Sequence, residues 1–193
     1  MAEKGLPNWV APVGIAVVLV LFLGLWVMGI YNGATQRDLA VDGEWANVQA
    51  DYQRRVDLIP NLVNTVKGVA GFEQETLTEI TQLRTQWQQG GTVDSQVQTA
   101  NQLESTLSKI ILTFENYPEL TATQAFRDLM AQLEGTENRI SVSRKRYNDA
   151  VREYNTYIRL IPNSFFVGDR EAKPFFESVA GAENAPIVPT DFT

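Results

Sequence analysis

Between Val10 and Ile30 the chain reads VAPVGIAVVLVLFLGLWVMGI, without a charge, an Asn or a Gln, and beyond it apolar residues return only at helical intervals. At about 1.5 Å of rise per residue this run matches the hydrocarbon thickness of a bilayer, which predicts a transmembrane helix over residues 10–31 behind a short tail, 1–9. The run is longer than the roughly 7–15 apolar residues of a secretory signal and continues into Tyr31, Asn32 and Gly33, so a retained anchor is expected. Trp9 at one end, and Trp26 with Tyr31 towards the other, suit the two membrane interfaces. Lys4 and Arg37 flank the run almost symmetrically, and the positive-inside rule leaves the orientation open. Gly24 and Gly29 miss the four-residue step of a close-packed helix dimer.

From residue 33 the apolar positions fall on a seven-residue step. Trp45, Tyr52, Ile59 and Val66 form one line and Val41, Val48, Leu62 and Val69 the next, predicting one long amphipathic helix to about residue 70. Pro60 falls inside it, as a kink or as a first-turn residue capped by Asp57. Leu77, Ile80, Leu83 and Trp87 carry a second helix to a loop at Gly90 and Gly91. A third follows with Val93, Val97, Ala100, Leu103, Leu107, Ile111 and Phe114, ending at Tyr117 and Pro118. Thr121 with Gln124 resembles a capping box for the longest helix, where Phe126, Leu133, Ile140, Tyr147, Tyr154 and Ile161 repeat until Pro162. No segment has strand character. A turn near Gly68 to Gly71 gives a first helix of about 55 Å from the membrane and a last one of about 60 Å returning to it. The expected fold is therefore all-α: one transmembrane helix, then an antiparallel four-helix up-and-down bundle over 32–162 standing on the membrane, and an irregular Pro- and Phe-containing tail over 163–193. A break at Pro60 is the alternative.

Composition narrows the chemistry. The 193 residues carry a net charge of −7 and contain no cysteine and no histidine. An acidic surface disfavours nucleic acid and anionic headgroups as generic partners. Thiol nucleophiles, disulfides, imidazole bases and nearly all zinc sites are excluded, as is a di-iron bundle, which needs Glu-x-x-His on two helices. Glu73, Glu75 and Glu79 belong to a helix start, where acidic side chains favour the macrodipole, and Ser108 and Lys109 project at different angles, unlike a Ser-Lys dyad. No enzyme activity, metal or cofactor is expected.

Three charges interrupt the apolar lines. Stepping from Val48 reaches Arg55 before Leu62, and stepping from Met130 reaches Glu137 and Arg144 before Val151. Seam charges need partners, and counting rise along antiparallel helices levels Arg55 with Glu137, Trp45 with Tyr147 and Ile59 with Leu133. An Arg55 to Glu137 pair is expected between the first and last helices, with Glu104, Asp51 and Arg144 nearby, acting as a register device.

The runs RRVDLIPNLVNTVKG (54–68), ENYPEL (115–120), EGTENRI (134–140), RYNDAVREYN (146–155) and IPNSFF (161–166) resemble the LemA family of bacterial membrane proteins. The likeness extends from about Tyr31 to Phe176. It implies a four-helix bundle, a bacterial cell-membrane location with the short N-terminus outside, and no settled activity; a relative of the family takes part in building magnetosome membranes. Family members often carry an aromatic and a histidine after VKG, where this chain has Val69 and Phe72. The structural or interaction candidates are Arg54, Arg55, Asp57, Asn61, Glu104, Glu137, Asn138, Arg144, Tyr147 and Asn148, with Arg139 and Asn155 beside them. The expected partners are the lipid bilayer and either a second copy of the chain or another membrane protein. The expected function is a non-enzymatic scaffold; a regulatory module, or lateral assembly that organises membrane, are the alternatives. APIVPTDFT (185–193) is a further candidate contact segment.

Overall fold

The computed structural model describes residues 10–67 and 73–176, and every regular element among them is helical. The elements are α1 (Val10–Val56), α2 (Ile59–Val66), α3 (Gln74–Gln89), α4 (Val93–Thr113), a 3₁₀ turn (Phe114–Asn116), α5 (Pro118–Thr121), α6 (Gln124–Arg159) and α7 (Asn163–Val167). They fall into two compact units, one of residues 1–42 with 150–173 and the other of 43–149 with 174–193.

The first long pattern does break before Pro60. Pro60 lacks the amide that would bond to Val56, so the ladder tightens: Leu58 N–H donates to the Arg55 carbonyl at 3.1 Å and α2 opens with Pro60 in its first turn. Asp57 does not cap it. Leu58 occupies the cap position without a side-chain bond, and the Asp57 carboxylate accepts from Gln53 Nε2 at 2.8 Å. The apolar line survives the break, since Ile59, Leu62 and Val66 are all buried. The expected turn at Gly68 to Gly71 lies outside the described residues, as do Val69, Phe72 and segment 185–193.

The α3–α4 loop depends on glycine, with φ of 71° at Gly90 and 140° at Gly91. Thr92 then caps α4 by accepting from Ser95 N–H at 3.3 Å. At the start of α6 the cap is Thr123, whose hydroxyl accepts from Phe126 N–H at 3.3 Å, whereas Thr121 donates to the Pro118 carbonyl. In α4 the fully buried line runs through Ala100, Leu103, Leu107 and Ile110; Ile111, one residue on, is only half-buried.

In the second unit, α1 with α2, α3, α4 and α6 form an up-and-down bundle. Trp45 of α1 meets Tyr147 of α6 with ring centroids 5.2 Å apart, and Arg55 of α1 meets Glu137 of α6, so sequence numbers rise on one helix as they fall on the other. Tyr52 packs on Trp87 of α3 at 4.9 Å, Thr106 of α4 donates to Glu79 of α3 at 3.1 Å, and Phe114 meets Phe126 edge-on at 4.8 Å.

In the first unit, residues 10–42 of α1 pair with the end of α6. Tyr157 Oη donates to the Ile30 carbonyl at 3.1 Å, and the Arg37 guanidinium lies 4.1 Å from the centroid of the Tyr157 ring. Gly33 permits this approach, because a β-carbon there would collide with the Tyr157 hydroxyl. Lys173 Nζ reaches Asp38 at 2.8 Å and Asp42 at 3.3 Å. Burial pulls its ammonium down, but the hydrogen bonds and charges of these two carboxylates outweigh that and hold its pKa above the ordinary lysine value. Among the described residues one helix is long and apolar enough to cross a membrane, and its most apolar window is almost wholly uncovered by protein. The Leu25 side chain, for example, is 69% exposed.

Candidate functional site

The charged residues that interrupt the apolar lines converge inside the second unit. α1 supplies Tyr52 and Arg55 one turn apart, α4 supplies Glu104, and α6 supplies Glu137 and Arg144 two turns apart. Glu104 is the hub. Its carboxylate accepts from Arg144 Nη1 at 3.1 and 3.0 Å, accepts the Tyr52 hydroxyl in a short hydrogen bond, and lies 3.9 Å from Arg55 Nη1. Arg55 Nη2 bonds to Glu137 at the other side. The two ends of that pair differ sharply in access: the Arg55 side chain is 7% exposed and the Glu137 side chain 51%. Arg55 Nε and Nη1 are buried without a hydrogen-bond partner among the described residues.

Two cations and two carboxylates balance in charge, so the cluster is neutral as a whole. Tyr52 adds a proton that is hard to remove. Burial is the main reason its pKa is pushed well above the ordinary phenol range; the charge and hydrogen bond of Glu104 push the same way, and Arg144 and Arg55 pull back.

Phe176 closes the cluster from outside the bundle's helices. Its ring stacks on Tyr52 at 6.0 Å with planes 10° apart, and the Arg144 guanidinium lies 4.2 Å from the ring centroid. Asn148 fixes the Phe176 backbone with both ends of its amide, donating to the carbonyl at 3.0 Å and accepting from the N–H at 2.8 Å. Tyr147 Oη donates to the Pro174 carbonyl at 2.9 Å. In the first unit Asn155 clasps the Lys173 backbone in the same way, donating to its carbonyl at 2.9 Å and accepting from its N–H at 2.8 Å. A groove of about 630 Å³ opens beside the cluster, lined by Arg55, Glu104 and Glu137 and by the apolar Leu107, Phe126 and Met130.

Of the residues singled out from the sequence, Arg55, Glu104, Glu137 and Arg144 meet in one network, and Tyr147 and Asn148 anchor the segment that covers it. The others stand apart. Arg54 pairs at 3.0 Å with Asp51, which forms no ion pair with Arg55 among the described residues, while Asp57, Asn61 and Asn138 are exposed. Tyr52 reads in sequence as a core aromatic, and only its position three residues before Arg55 hints at a role for its hydroxyl. Phe176 follows the last helical repeat, so no periodicity points to it.

Residues 44–190 match the model of the LemA family. Among curated proteins, the chain is 25% identical over 164 residues to Protein LemA of Metamycoplasma hominis, covering 81% of this chain and 73% of that one. It is 23% identical over 199 residues to each of two magnetosome proteins of Paramagnetospirillum magneticum, MamQ 1 and MamQ 2, covering 88% of this chain and 72% of each.

The geometry ranks the two carboxylates. Glu104→Gln leaves two buried or half-buried cations short of charge and is expected to cost about 3–5 kcal/mol. Glu137→Gln weakens the pairing of one cation only, Arg55, and keeps an amide oxygen to accept its hydrogen bond with Glu104 still nearby, so it is expected to cost less, about 1–2 kcal/mol. Urea titrations of both variants followed by helical circular dichroism check the order, and equal losses would refute it. Alkali tests Tyr52. An unfolded tyrosine ionises near pH ~10 whereas the folded one keeps its proton, so stability holds below that pH and falls above it as deprotonation favours the unfolded chain. Tyr52→Phe is expected to flatten the decline, measured as unfolding free energy at several pH values above neutrality.

Proposed function

The chain belongs to the LemA family, and we propose that it works as a membrane-anchored, non-enzymatic helical scaffold that binds a second copy of itself or another membrane protein. The observation that carries this reading is the state of the polar cluster: its acids and bases neutralise one another across three helices and so specify alignment. Catalytic groups need a different arrangement, with an acid or base held at a pKa near the working pH and facing a substrate. The uncovered apolar run of α1 supports an anchor in the bacterial cell membrane. The family likeness favours an orientation with the short N-terminus outside the cell. The likeness to two magnetosome proteins supports work at a membrane and suits lateral assembly as one form of scaffolding.

The test is crosslinking in intact membranes. A photoreactive residue at Asn138 or Arg139 on the exposed face of α6 is expected to give discrete adducts with a second copy or with a membrane protein, identified by mass spectrometry. A strictly monomeric product from several such positions would remove the reading.

A second reading, that the bundle is a regulatory module, is favoured by the unequal exposure of the Arg55 to Glu137 pair, which lets one end open to water while the other stays buried. On that reading Glu137→Gln alters the pattern of crosslinked partners while the protein stays folded and abundant. An unchanged pattern would dismiss it.

A further inference from the structure

The turn between α6 and α7 is uncharged from Leu160 to Gly168, reading LIPNSFFVG. It is also strongly apolar on its outer side. Ile161 is 76% exposed and Phe165 77%, with Leu160 exposed beside them. In a water-soluble setting three large side chains left bare on one short turn form an unfavourable patch.

Their position within the first unit explains them. Tyr157 Oη bonds to the Ile30 carbonyl at the end of the apolar run, and one turn deeper into that run the Trp26 ring meets the edge of Phe166 at 6.0 Å. The turn thus packs beside Trp26 within the apolar span, whose neighbours Leu25 and Phe22 are themselves exposed. Whatever medium covers those side chains reaches Ile161 and Phe165 as well. Arg159, the last residue of α6, is exposed directly before the turn, placed where a long cationic side chain reaches back to headgroups.

The backbone is prepared for a dry setting. Ser164 N–H donates to the Leu160 carbonyl at 2.9 Å and Phe165 N–H to the Pro162 carbonyl at 3.1 Å. The Asn163 side chain donates to the Tyr157 carbonyl at 3.1 Å, satisfying one of the carbonyls left open at the end of α6. A segment that closes its own polar groups enters the boundary between headgroups and acyl chains at far lower cost than an open loop.

We propose that the α6–α7 turn is a second membrane-inserted element, in which Leu160, Ile161 and Phe165 dip into the bilayer interface beside the α1 span. This rests on reading the α1 run as a membrane anchor. Its consequence is that the end of α6 is held at the bilayer by its own apolar contact as well as by its packing on α1.

Because the chain has no cysteine, single labels are available throughout. The full chain is reconstituted in phosphatidylcholine and phosphatidylglycerol vesicles with a bimane fluorophore on Ile161→Cys, Phe165→Cys, Leu19→Cys or Asn138→Cys, each checked for native helicity. Lipid-borne nitroxides are expected to quench positions 19, 161 and 165 several-fold more than position 138, and aqueous iodide is expected to show the reverse order. Quenching of 161 and 165 by iodide overturns the proposal by placing the turn in water. Protection of both from lipid and iodide alike overturns it in favour of a second copy or another protein covering the turn. In either case lipid quenching at 19 leaves the anchor standing, whereas its absence at 19 removes the anchor and the proposal that rests on it.

Discussion

A guanidinium buried in a helical core constrains everything around it, because the penalty for leaving it unpaired exceeds what any one apolar contact supplies. Arg55 meets that demand from two other helices of its unit, Glu137 on α6 and Glu104 on α4, and Glu104 in turn holds Arg144 and Tyr52. A slip of one helical turn displaces a helix by about 5.4 Å, enough to break these bonds. Apolar surfaces alone tolerate such a slip far better, since one leucine replaces another along the seam. The cluster therefore sets the register and the surrounding stripe supplies the burial. The pairing of Trp45 with Tyr147, ten residues from the Arg55 to Glu137 pair on each helix, obeys the same alignment.

The segment after α7 is held by a different device. Lys173 to Phe176 has no regular secondary structure, so its backbone groups need partners from side chains. Asn148 and Asn155 provide them, each matching one residue's backbone N–H and C=O with its own amide oxygen and nitrogen. The two asparagines are seven residues apart on α6 and so lie on one face of that helix. What the second unit gains is a cover, as Phe176 comes to rest against Tyr52 and Arg144.

Rigid elements made much of this legible in advance. Helical rise is constant, so counting along antiparallel helices brings Arg55 level with Glu137 without any knowledge of side-chain positions, and the charges announce themselves by interrupting apolar lines. Local competition was harder to read. Thr121 and Thr123 both look like caps, and Thr123 takes the role because Thr121 ends α5 and turns its hydroxyl back to Pro118. Ile110 and Ile111 are chemically equivalent neighbours, and packing chose Ile110. Pro60 broke the ladder within two residues while leaving the apolar line unbroken, an outcome intermediate between a simple kink and a reversal of the chain. Phe176 stands out in sequence only as one of several tail phenylalanines suited to pack on the bundle; its exact place depends on Asn148, 28 residues away in sequence, and an extended tail carries no period.

Once polar side chains bind one another they are poor recognition elements, because a partner must first break bonds already made. On the scaffold reading, selectivity in the second unit therefore falls to side chains left outside the network. A shallow groove of about 480 Å³ between α1 and α6 gathers such residues, including Arg54, Arg139 and Arg146 with Asn138; among the described residues only Arg54 of these pairs with the Asp51 that shares the groove. On a chain of net charge −7, three arginines in one groove are a local reversal of sign. Complementary charge steers encounter and fixes orientation more than it adds affinity, and on the scaffold reading such a face suits an acidic counterpart.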